Sequence, residues 1–380
     1  MSKIVVLVAF SLLFALTGYS PAVNPPAEVA PPGLNKPVYL PLVFQQAISV
    51  CRFGVAALPK NTVYNTDLHI AKIGGFINWN TSPERVLPAD VSFVRVISVR
   101  DPFDDTAAAS SAANLAQSYP GSIWQVGNEP DTTYGNVDGT TQDNITAQQY
   151  GHRFRIIAQA IRAADSQAKI GFGSIVQPTP IRMYYLNLAW EQLKSETGSV
   201  AKASALIDFW SIHSFILNEV MGEWGTGVPK GYLPSWGQPV HITNFSDTYN
   251  STIFANRIRA FRQWMKDRGE QNKALWITEY GSLFPPFDPP GINYVNVTDQ
   301  QTAAFMVNSF DYMLNTTDAN LGMPADGNRL VQRWFWYSLN EDRDTYGGTL
   351  FDPVTGAATP VGQAYINYTK NLTPATNCLP

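Results

Sequence analysis

Leu275-Trp276-Ile277-Thr278-Glu279-Tyr280-Gly281 reads as an apolar strand that stops on a glutamate, and Trp124-Gln125-Val126-Gly127-Asn128-Glu129-Pro130-Asp131 repeats that design upstream. Six more segments have the same apolar character, at 52–56, 75–79, 93–99, 169–176, 208–215 and 333–338, beside 122–126 and 274–278 for the quoted pair. Several are continuous apolar runs, the pattern of parallel strands buried on both faces. Between them lie helical stretches. In 147–164, Tyr150, Phe154, Ile157 and Ile161 recur at spacings of three and four, so one face is apolar, with Asn144 or Thr146 as its cap. Segments 183–193, 252–266 and 302–314 have similar character. Strand and helix in alternation predict a parallel α/β fold, and eight strands over this length favour a closed (β/α)8 TIM barrel with a single catalytic domain. An open dinucleotide-binding sheet would carry a glycine-rich phosphate loop near its start; Gly171-Phe172-Gly173 lacks the third glycine and suits close packing or a bend in its strand instead.

The rest of the chain sets limits. Hydrophobic residues make up 45% and charged residues 15%, which fits a large buried core and excludes a disordered chain. A net charge of -4 without any basic run gives nucleic acid no footing. Lys3 followed by the apolar run 4–16 reads as a signal peptide over 1–20, the rival being an uncleaved anchor; the mature domain is expected not to insert in a membrane. Seven prolines between Pro21 and Pro41 make 21–45 a proline-rich linker, leaving 46–380 for the barrel and placing the protein outside the cell or on its surface. The two cysteines, Cys51 and Cys378, bracket that domain, and a barrel that pairs its first strand with its last makes a Cys51–Cys378 disulfide possible. With 4 His and no ligand-spaced cluster, neither a metal nor another cofactor is expected. The loop 218–251, rich in Gly and Pro and holding Trp224 and Trp236, follows the sixth strand and either shapes the mouth of the barrel or is a surface insertion.

In a barrel the strand ends converge on one mouth. Glu129 and Glu279, on the fourth and seventh strands, would face each other there. Two such carboxyls are what glycosidic cleavage requires: one protonates the leaving oxygen and the other attacks the anomeric carbon. Asn-Glu-Pro at a fourth strand with Trp-x-Thr-Glu-Tyr-Gly at a seventh resembles clan A of the retaining glycoside hydrolases, over residues 50–370. The resemblance implies an acid/base at Glu129, a nucleophile at Glu279, a bond from Asn128 to the sugar 2-hydroxyl, and a carbohydrate substrate. Asn218-Glu219 and Asn340-Glu341 are competing Asn-Glu pairs, neither followed by proline. His213, near the end of the sixth strand, is either a core residue or a mouth residue that binds substrate or orients Glu279; related enzymes have His or Tyr there. Trp334 and Trp336 share a face, which meets either the outer helices or the substrate, and Trp336 is expected as a sugar platform. Trp79 and Asn80 belong to a cluster that faintly resembles the endo-β-1,3-glucanase-like members of the clan and are expected to touch substrate. The alternatives are a carbohydrate-binding protein on an inactive barrel and a cell-surface adhesion or scaffold module.

Overall fold

The strands form in the expected places because their runs are apolar on both sides. They are β1 (Phe53–Ala56), β2 (Gly75–Ile77), β3 (Ser92–Ile97), β4 (Ile123–Val126), β5 (Lys169–Ile175), β6 (Phe209–His213), β7 (Ala274–Tyr280) and β8 (Arg333–Tyr337). All neighbours pair in parallel, and β8 returns to β1 with Phe53 opposite Trp334, closing the barrel. The computed structural model describes residues 50–59, 62–132, 142–286 and 296–373. The expected signal peptide, the linker and Cys378 lie outside these residues. Cys51 is not free, but a bridge to Cys378 stays an expectation. Among the described residues no helix is long and apolar enough to cross a membrane.

Helices α1 (Asp105–Ser118), α2 (Ala147–Ala164), α3 (Pro180–Thr197), α4 (Val200–Ser204), α5 (Ser251–Lys266), α6 (Asp299–Asn315) and α7 (Pro360–Thr369) follow β3 to β8, with both α3 and α4 after β5. Thr146 caps α2 in a reciprocal pair with Gln149, and Thr298 does the same for α6 with Gln301. Asn144 is not the cap; it sits two residues earlier with a left-handed backbone. Among the described residues, short 3-10 turns replace a helix after β1, and an irregular loop replaces it after β2. Sequence periodicity misses α1 and α7. The buried positions of α1 are Ala112 and Ala116, too small to mark an apolar face.

Large rings opposite glycines fill the barrel. Phe209, Trp276 and Phe335 point inward with Ala56, Ile77, Val94, Val96 and Ile123. Phe209 stacks on Trp276 at 4.0 Å. A Cβ on Gly171 would lie 2.3 Å from the Phe209 ring, and one on Gly54 would lie 2.4 Å from Phe335. Gly173 is stricter still: its φ is +127°, and a Cβ there would sit 2.1 Å from the Ser211 carbonyl oxygen. Gly173→Ala is therefore expected to cost about 3 kcal/mol, read as a lower urea midpoint with an unchanged slope.

Irregularities in two strands set the site. In β5, Gly173 pairs with Ser211 and Ile175 with Ile212, so Ser174 is an extra residue, and its φ is +52°. In β7, Ile277 pairs with Trp334 but Tyr280 with Trp336, again one residue too many. Ile277 packs into the outer core, and regular alternation would send Glu279 the same way. The bulge reverses the parity and turns Glu279 to the barrel axis.

Candidate active site

Glu129 stands just past β4, where Gly127 (φ +93°) turns the chain and Glu129 itself holds a left-handed backbone of φ +44°. That conformation is costly for a residue with a side chain and persists only where the surroundings enforce it. Here the Glu129 N–H donates to the Ser174 carbonyl at 3.1 Å, so the bulge in β5 ties the residue to β5. The Asn128 N–H donates to Asp143 Oδ2 at 2.6 Å, and Ser98 Oγ donates to Asp143 Oδ1 at 2.5 Å. Burial pushes the Asp143 carboxyl up, against these donors.

Three side chains meet at the strand ends. His213 Nδ1 lies 2.9 Å from Glu129 Oε1 and 3.6 Å from Glu279 Oε1. One ligand atom from each of Glu129, His213 and Glu279 lies within 4.8 Å of the other two. All three residues are buried, with Glu129 8%, Glu279 6% and His213 1% exposed. The Trp79 indole N–H donates to Glu279 Oε1 at 3.2 Å. Trp79, too, has a positive φ, +61°, which ends β2 two residues before the expected limit.

The electrostatics come from crowding two acids in a dry place. Burial raises the Glu279 carboxyl to about 7; the Glu129 charge pushes the same way, while His213 and the Trp79 N–H pull it down. For His213, burial favours the neutral ring, but the charges of Glu279, Glu129 and Asp131 outweigh it and the value is raised. Among the described residues, buried His213 Nε2 has no hydrogen-bond partner, so the ring's one satisfied proton is the Nδ1–H on Glu129. Two carboxylates and an imidazole are also a donor set for a cation. The fit is poor: Nδ1 is engaged in a hydrogen bond, and Nε2 lacks the outer partner that orients a metal-bound ring.

Of the expected binding residues, Trp79 joins the pair, and Asn128 lies buried next to Glu129. The Asn80 amide donates to Glu84 at 2.8 Å at an exposed position, and nothing ties it to the carboxyls. Trp336 as a sugar platform is corrected: it is 0% exposed, packs edge-on against Tyr280 at 5.2 Å on the outer side, and donates to the Gly348 carbonyl. The inward residue is its neighbour Tyr337, which packs 5.9 Å from Trp79 and 6.0 Å from Phe215, with its hydroxyl donating to Glu341 Oε2 at 2.9 Å. Tyr346 lies 5.6 Å from the Tyr337 ring. Sequence reasoning missed both tyrosines. The only signal for Tyr337 is the alternation along β8, which identifies two faces without saying which one is inside, and Tyr346 lies in the loop beyond that strand. Glu341 and Glu219, the two competing glutamates, are both engaged: Glu341 by Tyr337, and Glu219 by Arg182 at 2.7 Å. The loop 218–251 is ordered structure with two 3-10 turns. Its Trp224 packs against Phe284 at 5.4 Å, and its Trp236 stacks on Tyr184 at 5.2 Å.

The sequence matches no family model and no curated protein. Among solved structures, the chain is similar to a GH128 subgroup I endo-beta-1,3-glucanase from Amycolatopsis mediterranei in complex with laminaritriose, at 14% identity over 83% of this chain and 99% of that one, with a TM-score of 0.51. It is similar to a GH128 subgroup II endo-beta-1,3-glucanase from Pseudomonas viridiflava, at 15% identity over 86% of this chain and 100% of that one, with a TM-score of 0.50. A glucosidase from Croceicoccus marinus matches at 12% identity over 82% of this chain and 66% of that one, also at 0.50. At such identities the likeness is one of fold: the eight-stranded parallel barrel that these glycoside hydrolases share.

Proposed function

We propose that the protein is a retaining glycoside hydrolase of β-linked polysaccharides or oligosaccharides, with Glu129 as acid/base and Glu279 as nucleophile. The observation that carries this is the pair of buried carboxyls at the strand ends, with an oxygen of each within 4.8 Å of the other. Retaining enzymes hold their carboxyls about 5–5.5 Å apart, while inverting ones need roughly 6.5–9.5 Å to admit a water beneath the sugar. In the first step, protonated Glu129 gives its proton to the glycosidic oxygen as ionised Glu279 attacks the anomeric carbon. The glycosidic bond breaks, the leaving sugar departs with its hydroxyl, and a glycosyl ester forms on Glu279. In the second, Glu129 takes a proton from water, whose oxygen attacks the same carbon and frees Glu279. An acceptor sugar in place of water would give transglycosylation through the same ester. His213 holds Glu129 through Nδ1–H, and its positive character offsets the repulsion between the two acids.

The substrate to try first is a β-1,3-glucan, on the strength of the fold shared with two endo-β-1,3-glucanases. Reducing-sugar release from β-1,3-glucan, cellulose, xylan, mannan and galactan tests this, with Glu279→Gln as the control. Release from one β-linked polymer by the wild type alone is the expected result. Tight binding of a glycan with no release from any of them would instead identify a carbohydrate-binding barrel. Export, by way of the apolar run at 4–16, is part of the proposal, and N-terminal sequencing of the secreted protein checks it.

Trp79→Phe keeps the ring and deletes the N–H on Glu279. Since that donor lowers the Glu279 value, its loss raises it further. The acidic limb of kcat/KM is expected to move upward by about half a pH unit or more, with kcat reduced about 10-fold. A pH–rate profile checks both.

A further inference from the structure

Behind the carboxyl pair lies a cation that the proposed chemistry does not use. Arg182, in the first turn of α3, is completely buried, and every donor of its guanidinium is spent. Nη1 donates to Asp131 Oδ2 at 2.6 Å and to the Asp131 carbonyl at 2.7 Å. Nε donates to Glu219 Oε1 at 2.7 Å. Nη2 donates to the Gly227 carbonyl at 2.6 Å and to Thr226 Oγ1 at 3.2 Å. Asp131 lies two residues beyond Glu129, and its second oxygen takes the Val176 N–H at 3.1 Å at the end of β5. Glu219, Thr226 and Gly227 belong to the loop after β6, the strand that ends on His213. The other oxygen of Glu219 takes the Val240 N–H at 2.8 Å from further along the same loop. One guanidinium thus spans the loop that carries Glu129 and the loop that continues from His213.

We propose that Arg182 is a positioning residue, clamping Asp131 to Glu219 so that Glu129 is held on His213 Nδ1 in its left-handed conformation. A buried cation between two buried carboxylates contributes little net stability compared with a well-packed apolar substitute, because all three groups lose their water. What it supplies is geometry, through a planar fork that satisfies both acids and three further oxygens at fixed angles. Lysine keeps the charge but lacks the fork. Arg257, the other cation packed behind the site, donates to Gln177 Oε1 and to the Phe215 carbonyl, and does not reach Asp131.

The test is an NMR titration of the His213 ring in the full chain, comparing wild type with Arg182→Lys and Glu219→Gln. The charges that raise the His213 value are those of Glu279, Glu129 and Asp131, and neither variant replaces any of these residues. If the clamp holds Glu129 in place, both variants let it drift, and the His213 pKa falls by about half a unit or more. Glu219→Gln is the milder change and gives a reading should Arg182→Lys not fold. An unchanged ring titration in a folded variant, with only a lower Tm, overturns the proposal. The kinetic readout rests on the hydrolase reading: kcat falls about 10- to 100-fold in Arg182→Lys while KM stays within about 3-fold. Because the ring titration needs no turnover, a wild type that hydrolyses no glycan overturns the hydrolase reading and still leaves the clamp to be decided.

Discussion

Glu279→Gln is expected to lose about 10⁴-fold or more in kcat and to be more stable than the wild type at pH 8. The loss comes from replacing the ionised carboxylate that forms the glycosyl ester with a neutral, weakly nucleophilic amide while keeping the shape of the side chain. The gain comes from linkage. Burial raises the Glu279 carboxyl from 4.5 to about 7 in the folded chain. A raised acid binds its extra proton between those two values, so its folded form is least penalised below the unfolded value and loses stability as pH rises through the folded one. Above pH 7 the penalty is on the order of 3 kcal/mol, and glutamine, which never ionises, escapes it. Urea unfolding at pH 8 and near pH 4.5 checks this: the variant should exceed the wild type at the higher pH, and the gap should close at the lower. A variant that is inactive and also less stable at pH 8 would mean that Glu279 supports the fold rather than opposing it.

Glu129→Ala is expected to behave differently. Losing the general acid costs about 10²- to 10⁴-fold on natural glycans, whose leaving oxygen needs the proton. A substrate with a good leaving group needs none in the first step, so the glycosyl ester should form and accumulate. Added azide, a nucleophile that requires no general base, should then release it and restore turnover as a β-glycosyl azide. The removed side chain leaves the small anion room beside the anomeric carbon. Steady-state rates on an activated aryl β-glycoside with and without azide, with NMR of the product, make the check. An α-azide, or rescue in Glu279→Ala but not in Glu129→Ala with a β-product, would exchange the two roles.

All eight strands and both mouth glutamates are legible in the sequence, because a parallel barrel writes each strand as an apolar run and gathers the C-terminal ends of those runs at one mouth. The same burial on both faces hides the rest. Along β8, Arg333, Phe335 and Tyr337 point inward while Trp334 and Trp336 point outward, so the more polar set is the inward one and side-chain polarity does not reveal which face meets the outer helices. The expectation at Trp336 fails for that reason. Glu279 is a subtler case: its strand is readable but its direction is not, since the inward turn depends on one extra residue in β7. The Asp131–Arg182–Glu219 clamp joins three distant segments, and no spacing along the chain announces it. Asp131 stands inside the motif around Glu129, yet nothing in the motif says what it holds.

The central claim is a covalent sugar on Glu279, and the most direct test is to trap it. A 2-deoxy-2-fluoro β-glycosyl fluoride of the sugar the protein hydrolyses forms the ester quickly and releases it slowly, since the fluorine destabilises both oxocarbenium-like states while the fluoride leaves readily. The intact protein should gain one fluoroglycosyl mass, and peptide sequencing by mass spectrometry should place it on Glu279. A label on Glu129, or no label together with a first-formed product of α configuration, would contradict the account.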